Sequence, residues 1–284
     1  MTASDLRRER LWHALGAGPL WRARGATAVE PGGAPAAAAD APLPQAAAPA
    51  ITPAVAAVAP AALETPVVNA ARPVAAAVVV DPARLAAIAG LDWPELQQAV
   101  ADCQACGLCK TRKQTVFGVG HPQANWMIVG EAPGAEEDAR GEPFVGQAGK
   151  LLDNMLAAVG LSRGAQGAAG VYIANVLKCR PPGNRNPEPH EMQQCEPFLR
   201  RQVELLQPRL IVVMGRFAAQ ALLGTDATIA SLRGRVHEVQ IAGRRIPVVV
   251  TYHPAYLLRN LADKAKSWAD LCLARRVANG DRDA

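Results

Sequence analysis

Four apolar runs dominate the second half of the chain and limit the architectures open to it. They are WMIVG at 126–130, VYIANVLK at 171–178, LIVVMG at 210–215 and IPVVVTYHP at 246–254. None alternates polar with apolar residues, so each reads as a strand covered on both faces. Between them lie stretches of helical character: AGKLLDNMLAAVGL, HEMQQCEPFLRRQVELLQP and RFAAQALLG. Buried strands alternating with helices predict a three-layer α/β/α fold around a central, mostly parallel sheet. Ligands in such folds bind at the carboxyl ends of the strands. GEAPG at 130–134, the residues after Asn175, and HPAYLLR at 253–259 all fall at such ends and converge on one cleft.

The upstream chain is of another kind. Residues 31–80 hold 21 Ala and nine Pro, with only Asp40, Glu64 and Arg72 charged. The prolines break each alanine run before a helix matures, and no aromatic offers a core, so this reads as semi-extended linker. The expected organisation is a short amphipathic segment at 1–24, a disordered Ala/Pro-rich linker at 25–83, and one domain at 84–280. In residues 4–24, Leu6, Leu11, Trp12 and Leu15 share a helical face. That face suits either packing against the domain or docking to a protein partner. No apolar run reaches the ~18 residues of a membrane span. MTASDLRRER also lacks the apolar stretch of a secretory signal.

A net charge of +5 permits a polyanionic partner without demanding one. Its placement says more. Lys178, Arg180, Arg185, Arg200, Arg201, Arg233, Arg235 and Arg259 lie in or beside the candidate loops, which predicts a basic surface there.

Six cysteines in a chain with no export signal point to metal ligands or free thiols before disulfides. CQACGLC supplies Cys103, Cys106 and Cys109, and fifteen residues separate Cys179 from Cys195. Two thiolate pairs suit either zinc or an iron–sulfur cluster, and spacing alone does not choose.

The phrase CxACxLxxxR at 103–112, GEAPG, PFVG at 143–146, CRPPGNRNPEPHEMQQC at 179–195 and HPAYLLR together resemble the family 4, iron–sulfur uracil-DNA glycosylases. The resemblance covers roughly residues 90–277. It implies a [4Fe–4S] cluster on Cys103, Cys106, Cys179 and Cys195, with Cys109 not needed and Cys272 a small buried residue. It also implies release of uracil from single- or double-stranded DNA, in base-excision repair, by a monomer in a prokaryotic cytoplasm.

The implied site follows the demands of that chemistry, because such an enzyme flips the base into a pocket. Phe144 would stack the uracil, and Asn175 would donate to O4 and accept from N3–H, a pattern that cytosine reverses. Backbone amides of the GEAPG turn, at Ala132, would hold a carbonyl. Glu131 would orient water and stabilise charge at C1′. Glu137 matches a further position needed for activity, either touching water or setting Phe144. His253, as neutral imidazole, would donate to O2 as the ring leaves. Leu257 or Leu258 would wedge into the stack, and Arg259 would contact phosphate. Glu136 and Asp138 are expected at solvent or at a cap.

Three other readings exist. A related glycosylase captures DNA covalently through a histidine in an Arg-rich insertion. Here that loop reads PPGNRNPEPH, with only His190 nearby. A non-catalytic iron–sulfur DNA-binding module would use the basic loops alone. A nucleotide-binding protein with GEAPG as phosphate loop is weakly supported, because neither GxGxxG nor GxxxxGK[ST] is present. No lysine in the motifs serves as an amine nucleophile, so hydrolysis without strand cleavage is expected.

Overall fold

The computed structural model describes residues 80–280. The 1–24 segment and all but the end of the 25–83 linker lie outside them. The described strands are β1 (Val119–Gly120), β2 (Trp126–Gly130), β3 (Val171–Asn175), β4 (Leu210–Met214), β5 (Val236–Ile241) and β6 (Arg244–Thr251). They form one sheet in the order β1–β3–β2–β4–β6–β5, parallel across the four central strands and antiparallel at both edges. The helices are α1 (Pro82–Gly90), α2 (Trp93–Ala101), α3 (Ala135–Arg140), α4 (Gln147–Ala158), α5 (Pro189–Leu206), α6 (Arg216–Leu223), α7 (Ile229–Leu232), α8 (Pro254–Arg259) and α9 (Lys264–Ala278).

Successive side chains on a strand point to opposite faces, so each apolar run feeds two cores. Met127, Val129, Ile211, Val213, Val248 and Val250 pack with Leu199, Val203 and Leu206 of α5 and Ala218, Ala219 and Leu222 of α6. Trp126, Ile128, Ile173, Val212 and Val249 pack with Leu152 and Leu156 of α4 and Leu271, Ala274 and Val277 of α9. Fully burying one such side chain is worth roughly 1.5–3 kcal/mol, which makes the sheet a rigid base for its loops. This is the expected α/β/α architecture.

Sequence reading did not find β5. Its burial alternates, and it joins β6 through Ala242 and Gly243, both at positive φ, without the Asn-Gly signal of a tight hairpin. A third apolar group joins α1 and α2 to α5 through Ile88, Leu96, Val100, Leu108, Leu177 and Phe198, with Cys179 and Cys195 inside it. Asp92 and Glu95 close a capping box on α2, fixing the entry to the first cysteine segment.

Candidate active site

Parallel register brings the strand ends level. Gly130 pairs with Asn175, and Met214 with Thr251. Above them opens a cleft of about 800 Å³, lined among others by Glu131, Ala132, Phe144, Asn175, His253 and Arg259. Of the expected substrate residues, only Leu257 and Leu258 do not line it.

Asn175 is 2% exposed, and its Oδ1 is buried with no hydrogen-bond partner. An unpaired buried acceptor costs roughly 1–3 kcal/mol, so its persistence at the floor of a cleft points to a ligand that donates there. Gly130 is required beside it. A β-carbon at 130 would lie 2.4 Å from Asn175 Oδ1 and 2.6 Å from Phe144 Cζ.

Phe144 is buried and adopts φ 55°, a left-handed conformation unusual for a bulky residue. Its loop is held from both sides. Glu137 Oε1 accepts from the amides of Val145 (3.0 Å) and Gly146 (3.2 Å), and Oε2 from that of Gly134 (3.1 Å). Arg163 donates to the carbonyls of Pro143 (2.9 Å) and Phe144 (3.0 Å), and to Asp153 (2.8 Å). Gly149 completes the fit, because a β-carbon there would meet the Phe144 carbonyl. Both oxygens of Glu137 accept from loop backbone, the arrangement that the second of its two expected roles, setting Phe144, requires, and Glu137 also lines the cleft. Sequence reasoning missed Arg163, whose partners lie 10 to 21 residues away.

His253 caps α8, with Nδ1 accepting from the Ala255 amide at 3.1 Å. The ring proton consequently sits on Nε2, free to donate. Burial pushes the imidazole pKa down to about 4, against the raising influence of Glu137, so the ring is neutral near pH 7. It stacks on Phe144, with ring centroids 5.3 Å apart. Burial also raises the Glu131 carboxyl, while the Arg216 guanidinium opposes the shift. Arg216 lines the cleft at the start of α6 and carried no signal in the sequence reading.

The rim departs from expectation in several places. Leu257 is 1% exposed, in the core, so of the two wedge candidates only Leu258, at 42%, is available. Lys178 is buried, Arg201 holds the Leu91 carbonyl, and Arg233 grips buried Asp270, so these three do not form a basic surface. Arg185 and Arg259 do line the cleft. Asp138 is buried, accepting from the Lys113 amide at 2.9 Å, and not at solvent. His190 pairs with Glu188 at 3.3 Å and is not among the residues lining the cleft.

Cys103, Cys106, Cys109, Cys179 and Cys195 line one small cavity; Cys272 is half-buried in α9. Donors converge on the sulfurs: Arg112 Nη1 on Cys179 (3.0 Å), the Lys178 amide on Cys195 (3.2 Å) and Arg84 Nη2 on Cys103 (3.9 Å). Burial pushes the Cys195 thiol up to about 12 and raises Cys106 and Cys179, with Arg112 and Lys178 opposing. The N–H donors converging on the sulfurs suit an anionic group held there.

Residues 117–272 match the family described as the uracil DNA glycosylase superfamily. The chain is 46% identical over 168 residues to a type-4 uracil-DNA glycosylase of Archaeoglobus fulgidus, covering 58% of this chain and 82% of that protein. It is 41% identical over 187 residues to the type-4 enzyme of Pyrobaculum aerophilum, covering 64% and 93%. With the type-4 enzyme of Thermotoga maritima it shares 40% identity over 172 residues, covering 60% and 85%.

Proposed function

Because this chain belongs to the uracil-DNA glycosylase superfamily, in its type-4 group, we propose here how its own residues carry out uracil release. The protein hydrolyses the N-glycosidic bond of deoxyuridine in DNA, leaving an abasic site for base-excision repair. The observation that carries the assignment of roles is the buried, unpaired Oδ1 of Asn175 in the cleft.

Uracil flipped into the cleft presents N3–H to that oxygen and O4 to the Asn175 amide nitrogen, with its ring on Phe144. Cytosine has no proton at N3 and an amino group at C4, so the same amide repels it. His253 donates Nε2–H to O2, and Ala132 offers its backbone amide to the base. As the C1′–N1 bond breaks, its electron pair moves onto the departing ring, and the His253 hydrogen bond strengthens with the charge. Glu131 faces the positive charge at C1′, orients a water on that carbon and accepts its proton. A carboxyl raised by burial is better matched to that task than an exposed one. Glu137 and Arg163 hold the Phe144 loop and do not meet the base.

Cys103, Cys106, Cys179 and Cys195 would hold the [4Fe–4S] cluster, which would fasten α1, α2 and the 180–188 loop to the sheet. Pro181, Asn184 and Arg185 of that loop line the cleft, so the cluster would support one of its walls. Leu258 is the wedge, and Arg259 contacts phosphate. The enzyme acts as a monomer in a prokaryotic cytoplasm, and the shared face of Leu6, Leu11, Trp12 and Leu15 in residues 4–24 suits either the domain or a protein partner. Among the described residues no helix is long and apolar enough to cross a membrane. Among the described residues no lysine lines the cleft, which favours hydrolysis without strand cleavage, and the position of His190 disfavours covalent capture.

The test is a labelled oligonucleotide with one uracil, treated with alkali after incubation. Cleavage at uracil by the native chain, lost in Asn175→Ala, supports these roles. Equal cleavage by Asn175→Ala would remove Asn175 from base reading, and a heat-stable protein–DNA adduct would mean capture.

A further inference from the structure

Lys178 is a buried cation that the chemistry above does not use. It is 1% exposed, and its Nζ donates to the Gln202 side chain (2.6 Å), the Asn175 carbonyl (2.8 Å) and the Phe117 carbonyl (3.4 Å). An ammonium has three N–H bonds, and three oxygens surround it. Gln202, fully buried on α5, is fixed in turn by donating to the Phe117 carbonyl (3.0 Å) and the Tyr172 hydroxyl (3.3 Å). At its other end the Lys178 amide donates to Cys195 Sγ. Cys195 and Gln202 lie two turns apart on one face of α5, so a single helix holds both the backbone and the side chain of Lys178.

The Asn175 carbonyl needs this donor. β1 pairs with Tyr172 and Ile173 and stops short of Asn175, so no edge strand reaches it. On the other side the backbone bond at this register runs from the Val176 amide to the Gly130 carbonyl (3.0 Å), and does not involve the Asn175 carbonyl. We propose that Lys178 is the positioning residue that sets Asn175 for base reading, and that it links the cysteine lobe mechanically to the uracil pocket. The inference rests on Asn175 contacting uracil. Lys178 itself meets neither base nor DNA, and it acts by fixing the peptide that carries the reading amide.

The experiment compares Lys178→Met, Asn175→Ala and the native holoprotein in three measurements. These are single-turnover release of uracil, affinity for DNA bearing an abasic-site analogue, and iron and sulfide content. Misplacing a reactive contact by about 1 Å costs on the order of 100-fold. Lys178→Met is therefore expected to slow uracil release roughly 10- to 100-fold, with abasic-DNA affinity and iron content unchanged. A general structural role would lower all three together, and that result overturns the proposal. A native rate in Lys178→Met with an inactive Asn175→Ala overturns it too, while leaving base reading intact. A native rate in Asn175→Ala overturns the reading beneath it. Gln202→Met, which keeps Lys178 and every thiol, serves if Lys178→Met fails to fold. It is expected to give a smaller slowing with the same selectivity for the chemical step, and a native rate there overturns the proposal.

Discussion

Gly130 stands directly opposite Asn175 in the parallel ladder, and a β-carbon at 130 would fall 2.4 Å from the Asn175 side-chain oxygen. The placement of the Asn175 side chain thus depends on a missing methyl group on the neighbouring strand. Gly130→Ala should cost about 100-fold in kcat/KM by displacing Asn175 and Phe144. Single-turnover kinetics with a melting curve check this, and a native rate in the folded variant would show that the pocket yields.

Asn175→Leu separates stability from activity. The native acceptor is buried without a partner, so an apolar side chain of similar size relieves about 1–3 kcal/mol of desolvation. The variant should melt at or above the native temperature while releasing no uracil. A lower melting temperature would mean that the acceptor is satisfied in the free protein.

The His253 pKa, near 4, sets two pH dependences. Its folded value lies below the unfolded 6.5, so the unfolded chain binds more protons between them. Its stabilising contribution is complete above about pH 6.5 and is lost as pH falls toward 4. Native protein should lose melting temperature across that window more steeply than His253→Asn. Uracil release, which needs only neutral imidazole, should show no ionisation of this ring near pH 6–7. A rate falling through pH 6.5, absent in His253→Asn, would contradict the assignment.

Arg163→Met should loosen the Phe144 loop. Two carbonyls in a strained turn lose their cation, and Asp153 loses its ion pair. Uracil release should fall roughly tenfold or more, since the stacking face is no longer fixed. DNA binding without a flipped base should be unchanged. Reduced affinity for undamaged DNA would place Arg163 at the interface instead.

Cys179→Ser should abolish iron content and visible absorbance and lower the melting temperature, because the cysteine lobe loses one attachment to the sheet. Cys109→Ser, in the same cavity, should leave iron and sulfide unchanged. Iron loss on replacing Cys109 would require a different ligand set.

The strands and their functional ends were legible because a run such as WMIVG is buried on both sides wherever it sits. Helix phase against a neighbour was not. Leu257 and Leu258 are chemically alike, and only the docking of α8 on α4 decides which one is buried. Cation burial was equally hidden, since Lys178 depends on a carbonyl supplied 61 residues earlier by Phe117. The same holds for Arg163 and Arg233, whose acceptors come from segments that folding alone brings together. The β5–β6 hairpin escaped because Ala242 adopts a positive φ that its residue type does not announce.

The unpaired oxygen of Asn175 also governs the fate of the base once the glycosidic bond has broken. In the role proposed for it, it meets an N–H that uracil keeps after leaving the sugar, so the freed base would fit the pocket as the attached base did. Uracil in solution is then a competitor for its own site, and departure of product becomes a step with its own barrier. An enzyme built this way would run slower as its product accumulates, its restraint coming from the same atom as the proposed selectivity.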